Sequence, residues 1–123
     1  MHYVVIIVIL ALLAPAAYGD DMDEDAALSP QDMGADQRGE LMQGAAGYNR
    51  CVYTKAMAIA DSDEDIRRLA DAALTHCEQQ LEALHSTIKA WGFAENFAAH
   101  FVQSTQNRVA RKLLAELSVS KSY

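Results

Sequence analysis

Cys51 and Cys77 are the residues of this 123-residue chain best suited to chemistry, and they are its only cysteines. Three activities use cysteines at all. Thiol–disulfide exchange typically uses Cys-x-x-Cys, a spacing that is absent. A nucleophilic thiolate needs a base beside it. His76 adjoins Cys77 in sequence, but neighbours on a helix point about 100° apart and do not face each other. A zinc site takes four ligands at recognisable spacing, and His76, His85 and His100 form no such set with the cysteines. What remains is a Cys51–Cys77 disulfide, the usual fate of two cysteines in a small exported domain. Closing a loop of about 27 residues is worth about 3.5 kcal/mol in the chain-entropy model. A core this small supplies roughly 3–5 kcal/mol on its own, so the bond can decide whether the domain stays folded.

Other catalytic patterns are missing. There is no Gly-x-Ser-x-Gly, no glycine-rich phosphate loop, no His-Glu-x-x-His and no dinucleotide fingerprint. No catalytic residue, metal or cofactor is expected, and the chain does not read as an enzyme.

Two clusters are suited to binding. Trp91, Phe93, Phe97 and Phe101 lie within one short stretch. Buried, they would fill the junction between two helices; exposed, they would form an interaction patch, since aromatic side chains anchor interfaces. Arg108, Arg111 and Lys112 share one face of a helix and form a candidate basic face. That cluster is too small, in too neutral a body, to suggest nucleic-acid binding.

The elements that position these residues read as helices. From Leu41 to Ser118 there is no proline, and alanine, leucine, glutamate, glutamine, lysine and arginine, the strong helix formers, dominate. A first helix carries the apolar stripe Leu41, Ala45, Tyr48, Val52, Ala56, Ile59, with Cys51 on its flank. It should begin between Asp36 and Tyr48 and end near Ala60. Gly44 and Gly47 each weaken it by about 1 kcal/mol. A second helix, capped by Ser62 and running from 63 to 91, carries Ile66, Ala70, Ala73, Cys77, Leu81, Leu84, Ile88 and Trp91 at steps of three and four. It would be about 43 Å long, long enough for so small a protein to accommodate a kink, and Gly92 is a natural stop. A third helix, from about Ala94 to Leu117, carries Phe97, Phe101, Val109, Leu113 and Leu117, with a gap in its stripe around 103–108. The short link Asp61-Ser62 folds the first two helices into an antiparallel hairpin, which sets the cysteines at nearly equal height. The fold class expected is therefore all-α: a disulfide-stapled helical hairpin plus a third helix, like a three-helix bundle.

The N-terminal region has a different character. Tyr3 to Leu13 is unbroken apolar sequence, Pro15 follows, and Ala17 and Gly19 are small. These are the parts of a cleaved secretory signal over 1–19. The apolar run is shorter than the roughly 20 residues that cross a bilayer, so no stable membrane span is expected after cleavage. From Asp20 to Glu40 eight acids stand against Arg38 alone, whereas from Leu41 onward nine acids balance nine lysines and arginines. The whole formal charge of −7 thus sits just after the signal. Such a stretch is expected to be a disordered acidic linker over 20–40, followed by a helical domain over 41–118 and a frayed tail over 119–123.

These features predict a periplasmic or secreted protein that acts by binding another envelope or secreted protein, as an adaptor, inhibitor or immunity-type module. The alternative is a binder of a small apolar ligand or lipid, with the aromatic residues lining its site.

Overall fold

A computed structural model describes residues 27–121. The segment expected to be a secretory signal, the first part of the acidic stretch and the last two residues lie outside the described residues. Among the described residues there are four α-helices: α1 (Ala35–Ile59), α2 (Ile66–His76), α3 (Glu78–Ala90) and α4 (Glu95–Ser120). Two single turns of 3-10 helix, Pro30–Asp32 and Ala60–Ser62, lie before and after α1. The protein is all-α, with four helices packed together where three were expected.

The difference lies at one residue. The second helix of the sequence reading is divided at Cys77, whose backbone (φ −101°, ψ 6°) leaves the helical region. Its N–H points at the carbonyls of Ala73 and Leu74 together, at 3.3 Å each. The stripe nonetheless continues across the break. Ala70, Ala73, Cys77, Leu81, Leu84 and Ile88 are all buried, joined by Leu69. α2 and α3 together therefore fill the place of one long rod.

α1 begins one residue before its expected range, and for a local reason. Gly34 donates its N–H to Oε1 of Gln37, three residues on, satisfying one donor of the first turn. Ahead of it, Ser29 donates both its N–H and its Oγ–H to the Asp32 carboxylate at 3.0 Å. Leu28 donates its N–H to the Gly92 carbonyl and forms an isolated bridge with Phe93, and Met33 is buried. The stretch expected to stay disordered up to residue 40 is thus folded from 27 onward. Leu28 and Met33 anchor it, two apolar residues that an average over an acidic segment conceals.

The α1–α2 turn also differs from expectation in its cap. Asp65, not Ser62, caps α2, its carboxylate accepting the Arg67 N–H at 2.9 Å. Ser62 instead donates back to the Ile59 carbonyl at 2.6 Å, closing the 3-10 turn. Gly92 does stop α3. It takes φ +96°, its N–H donates to Lys89 and that of Phe93 donates to Ile88. This is a Schellman ending, with Phe93 and Ile88 buried beside each other in sequence register.

α4 runs on through Ser120, past the point where fraying was expected. Lys121 explains it: Nζ donates to the carbonyls of Ala60 (2.8 Å) and Asp63 (2.6 Å), tying the end of α4 to the α1–α2 turn. The gap in the α4 stripe is filled by Thr105, which is buried with its hydroxyl donating to the Phe101 carbonyl one turn back.

One contiguous core results, drawn from all four helices together with Met33 and Phe93. α1 packs chiefly on α2 and α3, and α4 packs chiefly on the same pair. α1 and α4, which run in the same direction, meet far less than either meets that pair. No helix among the described residues is long and apolar enough to cross a membrane.

Candidate functional site

The cysteines pair as expected. Cys51 and Cys77 are disulfide-bonded across α1 and the α2–α3 break, with Cα atoms 6.1 Å apart, within the ordinary range for such a bond. Cys77 is buried and Cys51 half-buried. Cys51 lies in an open groove of about 410 Å³ lined by Arg50, Thr54, Lys55 and Ala58 of α1 and by His76.

The aromatic residues divide. Phe93 is a core residue, 2 % exposed. Phe97 packs on it at 5.6 Å between ring centroids, and Phe101 follows at 6.4 Å. Trp91, Phe97 and Phe101 are half-buried against the core. They form the seam between the end of α3 and the start of α4, where Leu28, 40 % exposed, is bridged to Phe93; the other exposed large apolar side chains are Met42 and Met57 on α1 and Val119 near the end of α4. The same seam carries an ion-pair cluster. Glu95 meets His85 Nε2 at 2.7 Å and Lys89 Nζ at 3.7 Å. The His85 hydrogen bond, aided by the charges of His85 and Lys89, holds the Glu95 carboxyl below its ordinary range.

The basic residues divide too. Arg108 and Lys112 face a trough between α1 and α4, while Arg111 turns its Nε toward the Asn107 carbonyl on its own helix. The trough holds about 300 Å³ and is lined on the α1 side by Met42, Ala45, Ala46 and Asn49, and on the α4 side by Thr105, Arg108, Val109 and Lys112. Ala45 and Ala46 leave the middle of the α1 wall shallow. Met42 stands 73 % exposed on its lip. Lys112 Nζ sits 5.9 Å from the centroid of the Tyr53 ring, close enough for a cation–π contact. Burial pushes the Tyr53 phenol up, with the Glu116 carboxylate adding to the effect.

Met42 is the functional candidate that the sequence reading passed over. It neighbours the α1 core stripe at Leu41 and Ala45 without belonging to it. An apolar side chain one position off a stripe is the only signal the sequence holds for it. The trough itself depends on how α1 and α4 splay, which no local pattern encodes.

Two further features complete the charge map. Arg68 reaches back to grip Asp63 with two prongs, at 2.7 and 3.1 Å. With the Asp65 N–H also donating to it, the Asp63 carboxyl is pulled down to about 2. In the core, the Tyr48 hydroxyl is buried with no protein hydrogen-bond partner among the described residues. Burial, and secondarily the Glu78 charge, pushes its pKa up to about 12. No cluster of three or more His, Cys, Asp or Glu suited to a metal ion occurs among the described residues.

The class these features define is a small, disulfide-stapled all-α bundle with open grooves between its helices, the α1–α4 trough among them. No protein-family model, curated protein or solved structure matches the chain.

Proposed function

We propose that this chain is an exported, non-catalytic interaction module. It acts in the periplasm or outside the cell by binding another envelope or secreted protein, as an adaptor, inhibitor or immunity-type partner. The observation that carries the reading is the α1–α4 trough. Single exposed apolar residues are ordinary on protein surfaces, but Met42 is continuous with Ala45, Ala46 and Val109 in a concave surface. A concave apolar strip rimmed by polar groups is the usual form of a helix-docking site. The aromatic residues contribute by fixing the α3–α4 junction from which α4 projects, and Trp91, Phe97 and Phe101 leave a half-exposed edge beside it. The disulfide is of the kind that persists in oxidising compartments, in keeping with the apolar, small-residue leader.

The test is affinity capture of the tagged protein from its native envelope, with wild type beside Met42→Glu and Val119→Glu. Val119 is 60 % exposed near the far end of α4. The wild type and the Val119 variant should retain one defined protein partner, and the Met42 variant should lose it. A partner held equally by the Met42 variant would overturn the trough as the site. Co-purified lipid released on extraction, with no protein partner, would replace the reading with the apolar-ligand alternative.

A further inference from the structure

We propose that the occupant of the α1–α4 trough is an acidic amphipathic helix, presented by the partner with carboxylates one turn apart along the flank that meets α4. The inference rests on the reading of the trough as the binding surface and adds the chemistry of what fills it. Length comes first. From Met42 to Asn49, and from Thr105 to Lys112, each wall runs about 10 Å, or two helical turns. A helix meets such a trough with side chains at i, i+3 or i+4, and i+7.

The two lips then set the polarity of the occupant. The α1 lip is uncharged: Met42, Ala46 and Asn49. The α4 lip carries Arg108 and Lys112, both exposed and spaced i, i+4, so that they project side by side. Among the described residues no acid lines the trough and neither cation makes an ion pair. The charged pairs that do form lie at the ends of the bundle, at Asp63–Arg68 and at Glu95 with His85 and Lys89. Lys112 has one standing attraction, the face of Tyr53, and Glu116 lies beside Tyr53 one turn further on, outside the trough. The rim therefore presents two adjacent positive charges over an apolar strip. The complementary surface is an apolar stripe flanked by two carboxylates at i and i+4. A partner with lysines there would place like charges together, which costs affinity and selects against it.

The probes are three synthetic helical peptides of equal length, titrated into the full-length protein by fluorescence anisotropy at low ionic strength. One carries a leucine stripe with glutamates along one flank. One carries the same stripe with lysines replacing the glutamates. One has the acidic composition in scrambled order. The acidic amphipathic peptide should bind at least tenfold tighter than either other, and its advantage should shrink as salt is raised. In the Arg108→Glu/Lys112→Glu double variant the preference should invert toward the lysine peptide. In Met42→Glu both amphipathic peptides should weaken. Equal binding of the scrambled peptide, or an acidic preference that survives the charge reversal, would overturn the proposal. So would tight binding that emerges only when Asp20, Asp21, Asp23, Glu24 and Asp25 are made amides, which would assign the trough to the chain's own acids. A natural partner lost with Met42→Glu but indifferent to the charge reversal would leave the trough standing as the site and remove only the acidic class.

Discussion

Gly39 and Gly44 stand on the same helix and do opposite things. A Cβ added at Gly39 meets nothing within 4 Å, so the glycine there only loosens α1. At Gly44 an added Cβ would run into the Leu84 side chain, because α1 and α3 approach closely at that point. Gly39→Ala should raise stability by about 1 kcal/mol through propensity alone. Gly44→Ala gains the same propensity but must displace a buried leucine, an overpacking that costs about 1–3 kcal/mol, and should lower stability. Urea midpoints of the two variants check the contrast. Tyr48 gives a second residue-scale test. Its hydroxyl is buried without a partner among the described residues, and a group in that position costs about 1–3 kcal/mol. Tyr48→Phe should therefore be neutral or stabilising by about 1 kcal/mol near pH 7. Because the folded pKa is raised to about 12, the wild type keeps the phenol's contribution below about pH 10 and loses it as pH rises through 12. The variant should flatten that alkaline decline, read as stability against pH between 9 and 12.

At the scale of elements the disulfide is the largest single term. Replacing Cys51 and Cys77 by serine together should cost about 3.5 kcal/mol, the closure entropy of the loop between them, measured as the difference in urea unfolding free energy. If the loss is near zero, the hairpin is already fixed by its core and the bond is incidental. The pairing was legible because Cys77 lies on one apolar stripe and Cys51 on the flank of the other, with steps of three and four that can be read directly, and Tyr48, Val52, Ala56, Ala73, Leu81 and Ile88 all lie where those stripes put them. A kink somewhere in the long second helix was legible from its length, but its place at Cys77 was not. No proline or glycine marks it, and the dip in helix propensity at Thr75-His76-Cys77 is shallow. Thr105 was hidden by its hydroxyl, which reads as polar until a carbonyl one turn back satisfies it. The cap at Asp65 was hidden among three successive acids, each able to close the turn. Of the candidate site, Arg108 and Lys112 were visible from their spacing. Met42 acquires meaning only when α1 and α4 are set side by side, since a trough is a property of two elements and belongs to neither stripe.

For the whole molecule, the arrangement of charge predicts how the bundle comes apart in acid. One ion-pair cluster, Asp63 with Arg68, sits where α1 hands over to α2; the other, Glu95 with His85 and Lys89, sits where α3 hands over to α4. These turns lie at opposite ends of the antiparallel rods, with the disulfide between them. Both carboxyls are held below their ordinary values by their partners. A lowered folded pKa means stability that is present above the unfolded value and lost as pH falls through the folded one. For Asp63 that window runs from 3.8 down to about 2. Acid should thus loosen both ends while the middle, where Val52 and Ala73 pack around the covalent link, stays closed. Amide hydrogen exchange at pH 6 and pH 3, corrected for intrinsic rates, should show lost protection at the α1–α2 and α3–α4 turns before any loss at Val52 or Ala73. Arg68→Ala should loosen the α1–α2 turn already at pH 6 and shrink its further loss in acid, because Asp63 then titrates closer to its unfolded 3.8 and contributes little at any pH; the Glu95 end should be unchanged. Simultaneous loss along the whole chain would mean that the ends and the stapled centre unfold as one unit, and that the two ion-pair clusters do not act separately on the fold.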